Sequence, residues 1–299
     1  MKVYVTGATG FVGAHVARVL AEQGADVRAD RVDLLDPQGL ARAAEGCDAV
    51  FHVAALYSYD ADPGMIERVN VEGTRNVIEA CIRKGVRRLV HTSTAGTCGP
   101  VSGREATEED DPPGWELAVP YKRTKLAAER LVLEAAAELD AVVVNPTAPV
   151  GDGDRRPTPT GRVISGVATG RIRGYLTTTG LNVVDVRDVA RGHALALERG
   201  RRGERYLLGG VNLALADLFA AIADLAGQPR PRLRVPYVMA VAAARMGLAN
   251  PDEVRLARLP MYFSSRKAQN TLGYRPGPVT PALARAVREA LSVNGKGGA

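Results

Sequence analysis

The sequence predicts an α/β fold, a doubly wound parallel sheet followed by a smaller, mainly helical C-terminal region, on three observations. Short apolar runs bounded by turn residues alternate with segments of helical period through the first half of the chain. The first run, Val3-Tyr4-Val5-Thr6, passes straight into Gly7-Ala8-Thr9-Gly10-Phe11-Val12-Gly13, whose glycines fall at three-residue spacing before an amphipathic stretch over residues 15–23. With 299 residues, 46% of them hydrophobic, the chain can also bury a large core.

The opening unit reads as strand, tight turn and helix. Gly7 lets the chain reverse, Gly10 removes a side chain where backbone must approach a diphosphate, and Gly13 lets helix and strand pack closely. The N–H groups at the helix start then face an anion. Strand and helix around the glycines favour a dinucleotide site over an ordinary glycine-rich turn. Residues 25–28 begin a second strand, and Asp33-Leu34-Leu35-Asp36-Pro37 reads as the end of a third followed by a helix start. A parallel crossover needs about a dozen residues, so 28–33 cannot hold one. Either the sheet is trimmed or a segment is omitted, and omission is the expectation.

Strands are then predicted at 48–55, 88–94 and 141–144, helices at 63–84 and 121–138, and a polar loop through the acidic run at 108–113. This alternation makes residues 1–150 a Rossmann-type domain, with parts of 180–210 returning to it. Residues 151–299 are expected to be mainly a substrate-binding region. They read as a loop at 151–161, a helix at 162–170, a strand at 182–186, a helix at 188–198, a strand at 205–208 and helices at 215–226, 238–246 and 281–292. The glycine-rich tail at 295–299 should fray.

Composition narrows the function classes. The formal charge is +6, but the arginines are scattered and aromatics are only 5% of residues, which argues against nucleic acid. Cys47, Cys81 and Cys98 lack disulfide or metal-ligand spacing and are expected to be reduced thiols in a cytoplasmic protein. No signal peptide or membrane span is read. His15 is expected to be a surface or packing residue, His52 a core residue touching cofactor and His91 a packing residue, while His193 sits in a predicted helix with no ligand partner nearby, and none is expected to bind metal.

Tyr121 and Lys125 stand four apart at the start of a predicted helix and project from one face. A tyrosine ordinarily ionises near ~10, and an ammonium held close favours the phenolate, which suits general acid or base work. A third hydroxyl should come from the strand end at Thr92, Ser93 or Thr94 and hold the substrate oxygen.

With these features the chain resembles the extended short-chain dehydrogenase/reductases of the NAD-dependent epimerase/dehydratase type. The resemblance rests on the glycine loop at residues 6–13, Asp33-Leu34, His52-Val53-Ala54-Ala55, Asn70-Val71-Glu72-Gly73-Thr74, Tyr121-Lys122-Arg123-Thr124-Lys125, Val184-Asp185-Val186-Arg187-Asp188-Val189-Ala190 and Tyr262-Phe263-Ser264-Ser265. Within the family it is most similar to hopanoid-associated sugar epimerases, through residues 263–268 and 157–162, and to dihydroflavonol reductase-like enzymes, through Pro146-Thr147-Ala148 with Gly151.

The resemblance implies Thr94, Tyr121 and Lys125 as catalytic residues. Tyr121 would move a proton to or from a carbonyl or alcohol oxygen, Thr94 would fix that oxygen, and Lys125 would hold the nicotinamide ribose. It implies contacts to NAD or NADP from Gly7, Thr9, Gly10, Phe11, Val12, Gly13, Asp33, Leu34, Val53, Ala54, Ala55, Thr92, Ser93, Tyr121, Lys125, Pro146, Thr147 and Ala148. Asn70 would kink its helix or hold a water. Ala148 stands where sugar-nucleotide epimerases usually carry asparagine, which weakens that reading. By spacing, Asp30 would favour NAD and Arg28 or Arg31 NADP.

The leading expectation is therefore an NAD(P)-dependent oxidoreductase acting on a carbonyl or secondary alcohol of a small molecule. A sugar epimerase/dehydratase and a non-catalytic NAD(P)-sensing protein are the alternatives. By analogy with the family, the helices over 63–84 and 121–138 are expected to pair in a homodimer.

Overall fold

The computed structural model describes residues 1–56 and 62–295. The chain opens with strand β1 (Lys2–Thr6), helix α1 (Phe11–Glu22), strand β2 (Asp26–Arg28), helix α2 (Pro37–Ala44) and strand β3 (Ala49–His52). Helix α3 (Pro63–Glu67) passes through a π-helical turn (Arg68–Glu72) into α4 (Gly73–Arg83), and β4 (Arg88–Thr92), α5 (Pro120–Ala135) and β5 (Ala141–Pro146) follow. Next come β6 (Ala148–Val150), α6 (Pro159–Ala168), β7 (Gly174–Leu176), β8 (Gly180–Asp185), α7 (Val186–Arg199), β9 (Arg205–Leu208) and β10 (Val211–Ala214). The chain ends with α8 (Leu215–Ala226), β11 (Leu233–Val235), α9 (Tyr237–Arg245), α10 (Pro251–Leu256), α11 (Arg266–Leu272) and α12 (Thr280–Gly295). Of the tail expected to fray, residues 296–299 lie outside the described ones.

Six parallel strands form the central sheet in the order β2-β1-β3-β4-β5-β9. Alternate residues of its strands feed two cores. Val3, Val5, Phe51 and Val90 pack with Val16 and Leu20 of α1 and Val189 of α7. Tyr4, Val50 and Leu89 pack on the other face with Leu40 of α2, Val77 of α4 and Val132 of α5. Each fully buried Val or Leu contributes roughly 1.5–3 kcal/mol, so the period-2 strands sandwiched between helices account for a doubly wound sheet.

The sheet corrects one expectation. Asp33 and Leu34 do not end a third strand; Leu34 lies in a turn, and residues 28–36 carry the chain from β2 directly into α2. In the described structure the short stretch between β2 and α2 holds no strand and no crossover helix, as its length requires. β2 is thus an edge strand of three residues, and it is blunted. Arg28 Nη1 donates to the carbonyls of Ala43 (2.8 Å), Arg42 (3.2 Å) and Glu45 (3.4 Å), a cation at the C-terminal end of α2 where carbonyls lack helical partners. Asp36 caps the other end of α2 by accepting from Gly39 N at 2.9 Å.

The single helix expected over 63–84 is interrupted at the π-turn that contains Asn70. The C-terminal part is richer in strands than expected. β6, β8 and β10 form a three-stranded sheet and β7 and β11 a two-stranded one. A separate core gathers Ile164, Val167, Val183, Phe219, Ile222 and Leu283 between them and α6, α8 and α12. The α6 helix starts at Pro159, earlier than expected, because Thr158 caps it by accepting from Gly161 N at 3.1 Å.

Candidate active site

The sheet order reverses between β1 and β3, and a crevice outside the carboxyl ends of the strands is where such sheets bind ligands. Gly7 lies there with φ 69°, and a Cβ on it would meet Ala54 at 2.8 Å. A Cβ on Gly13 would come within 2.1 Å of the Gly7 carbonyl, so only glycine allows α1 to abut the turn. Gly10 is the N-cap of α1 and offers no side-chain cap, leaving the first N–H groups of a twelve-residue helix available to an anion. Thr9, Phe11 and Val12 belong to the same turn and first helical residues. This cradle fits the diphosphate of a dinucleotide.

Val53 and Ala54 are fixed beside it by a residue the sequence reading passed over. Thr6 Oγ1 accepts from both of their N–H groups at 3.1 Å, and so donates its own proton to His52 Nδ1, 2.9 Å away. His52 Nε2 then donates to Thr74 Oγ1 at 3.0 Å, which donates to the Asn70 carbonyl at 2.6 Å. His52 is buried with both ring nitrogens engaged in this relay, and burial pushes its pKa down to about 3. Ala55 follows and is exposed.

Asn70 neither stands alone nor merely kinks the helix. Its Oδ1 accepts from Leu56 N at 2.8 Å, and its Nδ2 donates to the Leu56 carbonyl at 3.1 Å and to Thr124 Oγ1 at 3.2 Å. Thr124 in turn donates to the carbonyl of Tyr121 at 3.0 Å. The π-turn therefore brackets the segment after β3 against the first turn of α5.

Tyr121 is the second residue of α5 and half-buried, with Lys125 one turn later and 2% exposed. Lys125 Nζ donates to the carbonyl of Thr92 at 2.7 Å, which ties α5 to the end of β4. Burial lowers its pKa to about 8, and the Glu129 carboxylate acts in the opposite sense. The Thr92 hydroxyl donates to His193 Nε2 at 2.8 Å, because His193 Nδ1 is committed to the Val189 carbonyl at 2.8 Å. Of the three strand-end hydroxyls, Thr92 is thus engaged inward. Thr94 is half-buried with its Oγ1 accepting from Gly96 N at 3.3 Å, and Ser93 Oγ is buried with no hydrogen-bond partner among the described residues.

Thr94 owes its position to a buried network that the sequence did not disclose. Asn145 Nδ2 lies 3.2 Å from the Thr94 carbonyl and 2.7 Å from Glu129 Oε2. The Thr97 hydroxyl stands 2.8 Å from the same carbonyl and 2.7 Å from the same carboxylate. Arg205 Nη1 closes the network on Glu129 Oε1 at 2.8 Å. The spacing of Tyr121, Lys125 and Glu129, each one turn apart, was the available signal.

At the end of β5, Pro146 is followed by Thr147, whose Oγ1 is buried without a hydrogen-bond partner among the described residues, and by Ala148, which opens β6. The unpartnered hydroxyls of Ser93 and Thr147 are the acceptors and donors a cofactor amide could use. At the other end, Asp33 joins Arg28, Asp30 and Arg31 around an open cavity of about 380 Å³, while Leu34 is pinned against α4 by Asn76 Nδ2, which donates to its carbonyl at 2.9 Å. Among the described residues no group of three His, Cys, Asp or Glu side chains could hold a metal, and no helix is long and apolar enough to cross a membrane.

Comparison with known proteins agrees with this geometry. The model of the NAD dependent epimerase/dehydratase family matches residues 3–209. A Synechocystis protein named as a dihydroflavonol 4-reductase is 37% identical, covering 95% of this chain and 93% of its own length. Sterol demethylase protein B of Methylococcus capsulatus is 34% identical, with 96% and 97% covered. The crystal structure of gox2253 superposes with a TM-score of 0.86 at 39% identity, covering 98% of each chain. The match to the Synechocystis protein extends over 319 aligned positions, more than the 299 residues present here, so that relative holds segments this chain lacks. The chain belongs to the NAD-dependent epimerase/dehydratase family of extended short-chain dehydrogenase/reductases, enzymes that work as NAD- or NADP-dependent reductases, dehydrogenases and epimerases.

Proposed function

We propose that the protein is an NAD(P)-dependent oxidoreductase that interconverts a carbonyl and a secondary alcohol on a small, largely apolar molecule. The observation that carries this reading is the buried Lys125 ammonium on the Thr92 carbonyl, one helical turn from Tyr121 and two residues from Thr94. The bound nicotinamide supplies or accepts the hydride, which no side chain can do. Tyr121 gives its phenolic proton to the carbonyl oxygen as the alcohol forms and takes it back in the reverse direction. Lys125, positive next to that phenol, stabilises the phenolate left behind, and Thr94 donates a hydrogen bond that orients the reacting oxygen.

The glycine turn would hold the diphosphate, Asp33 and Leu34 the adenine side, and Ser93, Pro146, Thr147 and Ala148 the nicotinamide side. A reductase is favoured over a sugar-nucleotide epimerase because Ala148 offers no amide for a nucleotide sugar, and because the named relatives include a reductase and a sterol-processing protein. We further propose a homodimer built on the α3–α4 and α5 faces, where Met65 and Ile82 are 43% and 42% exposed.

The test is nucleotide-dependent turnover by the purified chain and its Tyr121→Phe variant on a panel of apolar ketones. Consumption of NADH or NADPH that the variant loses supports the reading. Turnover without net nucleotide consumption would make the protein an epimerase, and nucleotide binding with no turnover would leave only a sensor. Mass in solution at micromolar concentration reports the dimer.

A further inference from the structure

The stretch 227–250 contains four arginines, Arg230, Arg232, Arg234 and Arg245, and no acidic residue. Within it α9 is apolar on both faces. Its inner face is made by Tyr237, Ala240, Val241 and Ala244, of which Ala240 is buried and the others half-buried. On its outer face Val238 is 73% and Met239 61% exposed, and just beyond the helix Met246 is 68% exposed and Leu248 76%. At 3.6 residues per turn, Val238, Met239, Ala242, Arg245 and Met246 fall within an arc of about 120°. The helix thus turns large apolar side chains outward where a surface helix ordinarily carries polar ones.

The neighbouring β11 extends the pattern. Leu233 is 64% exposed between Arg232 and Arg234, which are exposed and make no ion pair among the described residues. Its partner strand β7 is preceded by the exposed Arg171 and Arg173, and the Arg173 carbonyl accepts from both Arg232 N and Leu233 N. Large exposed apolar side chains ringed by cations, with no carboxylate in the stretch, form a surface that water and a second copy of the chain would both serve poorly. Self-association would set arginines against arginines.

We propose that this face docks on an anionic bilayer, with Val238, Met239, Met246 and Leu248 entering the headgroup region and Arg232, Arg234 and Arg245 meeting lipid phosphates. An apolar face flanked by basic residues is how a helix lies in such an interface, and each arginine near a negatively charged leaflet adds to the attraction. The docking is independent of which carbonyl the active site reduces.

Co-sedimentation of the full chain with phosphatidylcholine vesicles, with and without phosphatidylglycerol, tests this. The chain is expected to pellet with the anionic vesicles, and high salt should weaken the binding. Arg232→Gln with Arg234→Gln should weaken it roughly 30-fold, since each arginine contributes about five- to sixfold. Val238→Asp with Met246→Asp should abolish it while the melting temperature and turnover of a water-borne substrate are kept. Failure of the wild type to pellet with phosphatidylglycerol vesicles, equal binding to neutral vesicles, or equal binding by the variants would overturn the proposal. So would a wild-type dimer that the Asp variants convert to a monomer, which would make a second copy the occupant.

Discussion

The ammonium of Lys125 is hydrogen-bonded to the carbonyl of Thr92 at 2.7 Å, so the helix that carries the phenol is latched to the strand that carries the candidate hydroxyl. A large shift of α5 along its axis would cost this buried bond as well as the alignment of Tyr121 with Thr94.

Lys125 should impose an alkaline limit on turnover. Its pKa is lowered to about 8 by burial, so the charge that stabilises the phenolate is lost as pH rises through that value. We expect kcat/KM to fall above about pH 8 in initial-rate measurements. The same group costs stability: between about 8 and its unfolded value near 10.5 the unfolded chain holds the proton more tightly, so stability rises with pH across that window and the full deficit is present below it. Lys125→Met should therefore lower turnover at least 100-fold yet raise the melting temperature at pH 7, by an amount corresponding to about 1–3 kcal/mol.

Glu129 is a positioning residue. Glu129→Gln leaves Arg205 without its buried counter-charge and loosens the Thr97 and Asn145 contacts that hold the Thr94 carbonyl. Loss of one buried partner costs about 3–5 kcal/mol of stability. Because the carboxylate also raises the Lys125 pKa, the alkaline limb of the rate profile should move to lower pH, a change that simple loosening of the fold would not produce.

Acid should unfold the protein through its buried imidazoles. His52 is lowered to about 3 and His193 to about 4 by burial, and His91, whose ring nitrogens have no partner, is lowered well below its ordinary value. Each folded-state value lies below the unfolded one near 6.5, so the stabilisation is complete above pH 6.5 and is lost as pH falls toward 4. Three such groups give a slope approaching about 4 kcal/mol per pH unit, against a total stability of about 5–15 kcal/mol. Melting temperatures should drop steeply between about pH 6 and pH 5 by this reasoning, and His91→Phe should flatten the dependence. An unaltered slope in that variant would remove His91 from the explanation.

Asn70→Ala should unbracket the segment after β3. The N–H and carbonyl of Leu56 both lose their partner, at a cost of about 1–3 kcal/mol. Differential scanning calorimetry is expected to show a melting temperature lowered by several degrees. The effect on turnover should exceed that of a surface substitution such as Arg75→Ala, because Thr124 and the carbonyl of Tyr121 belong to the same chain of bonds.

Residues close together in sequence made most of this site legible. The glycines of residues 7–13 and the Tyr121/Lys125 pair lie within one or two turns of one element, and local period places them. The Glu129–Arg205 pair and the Thr6–His52–Thr74 relay join residues 76, 46 and 22 positions apart, and no local pattern carries that information. The short strands β6, β7, β10 and β11 escaped because they are only three or four residues long and mostly half-buried or exposed, and so lack the apolar run that marks β3 and β9. The end of the sheet was misread for a different reason: Asp33-Leu34 has the composition of a strand end, although no strand directly precedes it among the described residues.

In the described sheet β2 is the edge strand, and the cavity beside it bears on coenzyme choice. Among the described residues no further strand stands beside β2, and the cavity there is lined by charged side chains of 28–33 together with Asp36 and Arg42. Arg28 is already occupied in holding the end of α2. Preference for one dinucleotide over the other thus narrows to the opposed charges of Asp30 and Arg31, and exchanging a single charge there is expected to convert the enzyme's appetite from one coenzyme to its phosphorylated counterpart.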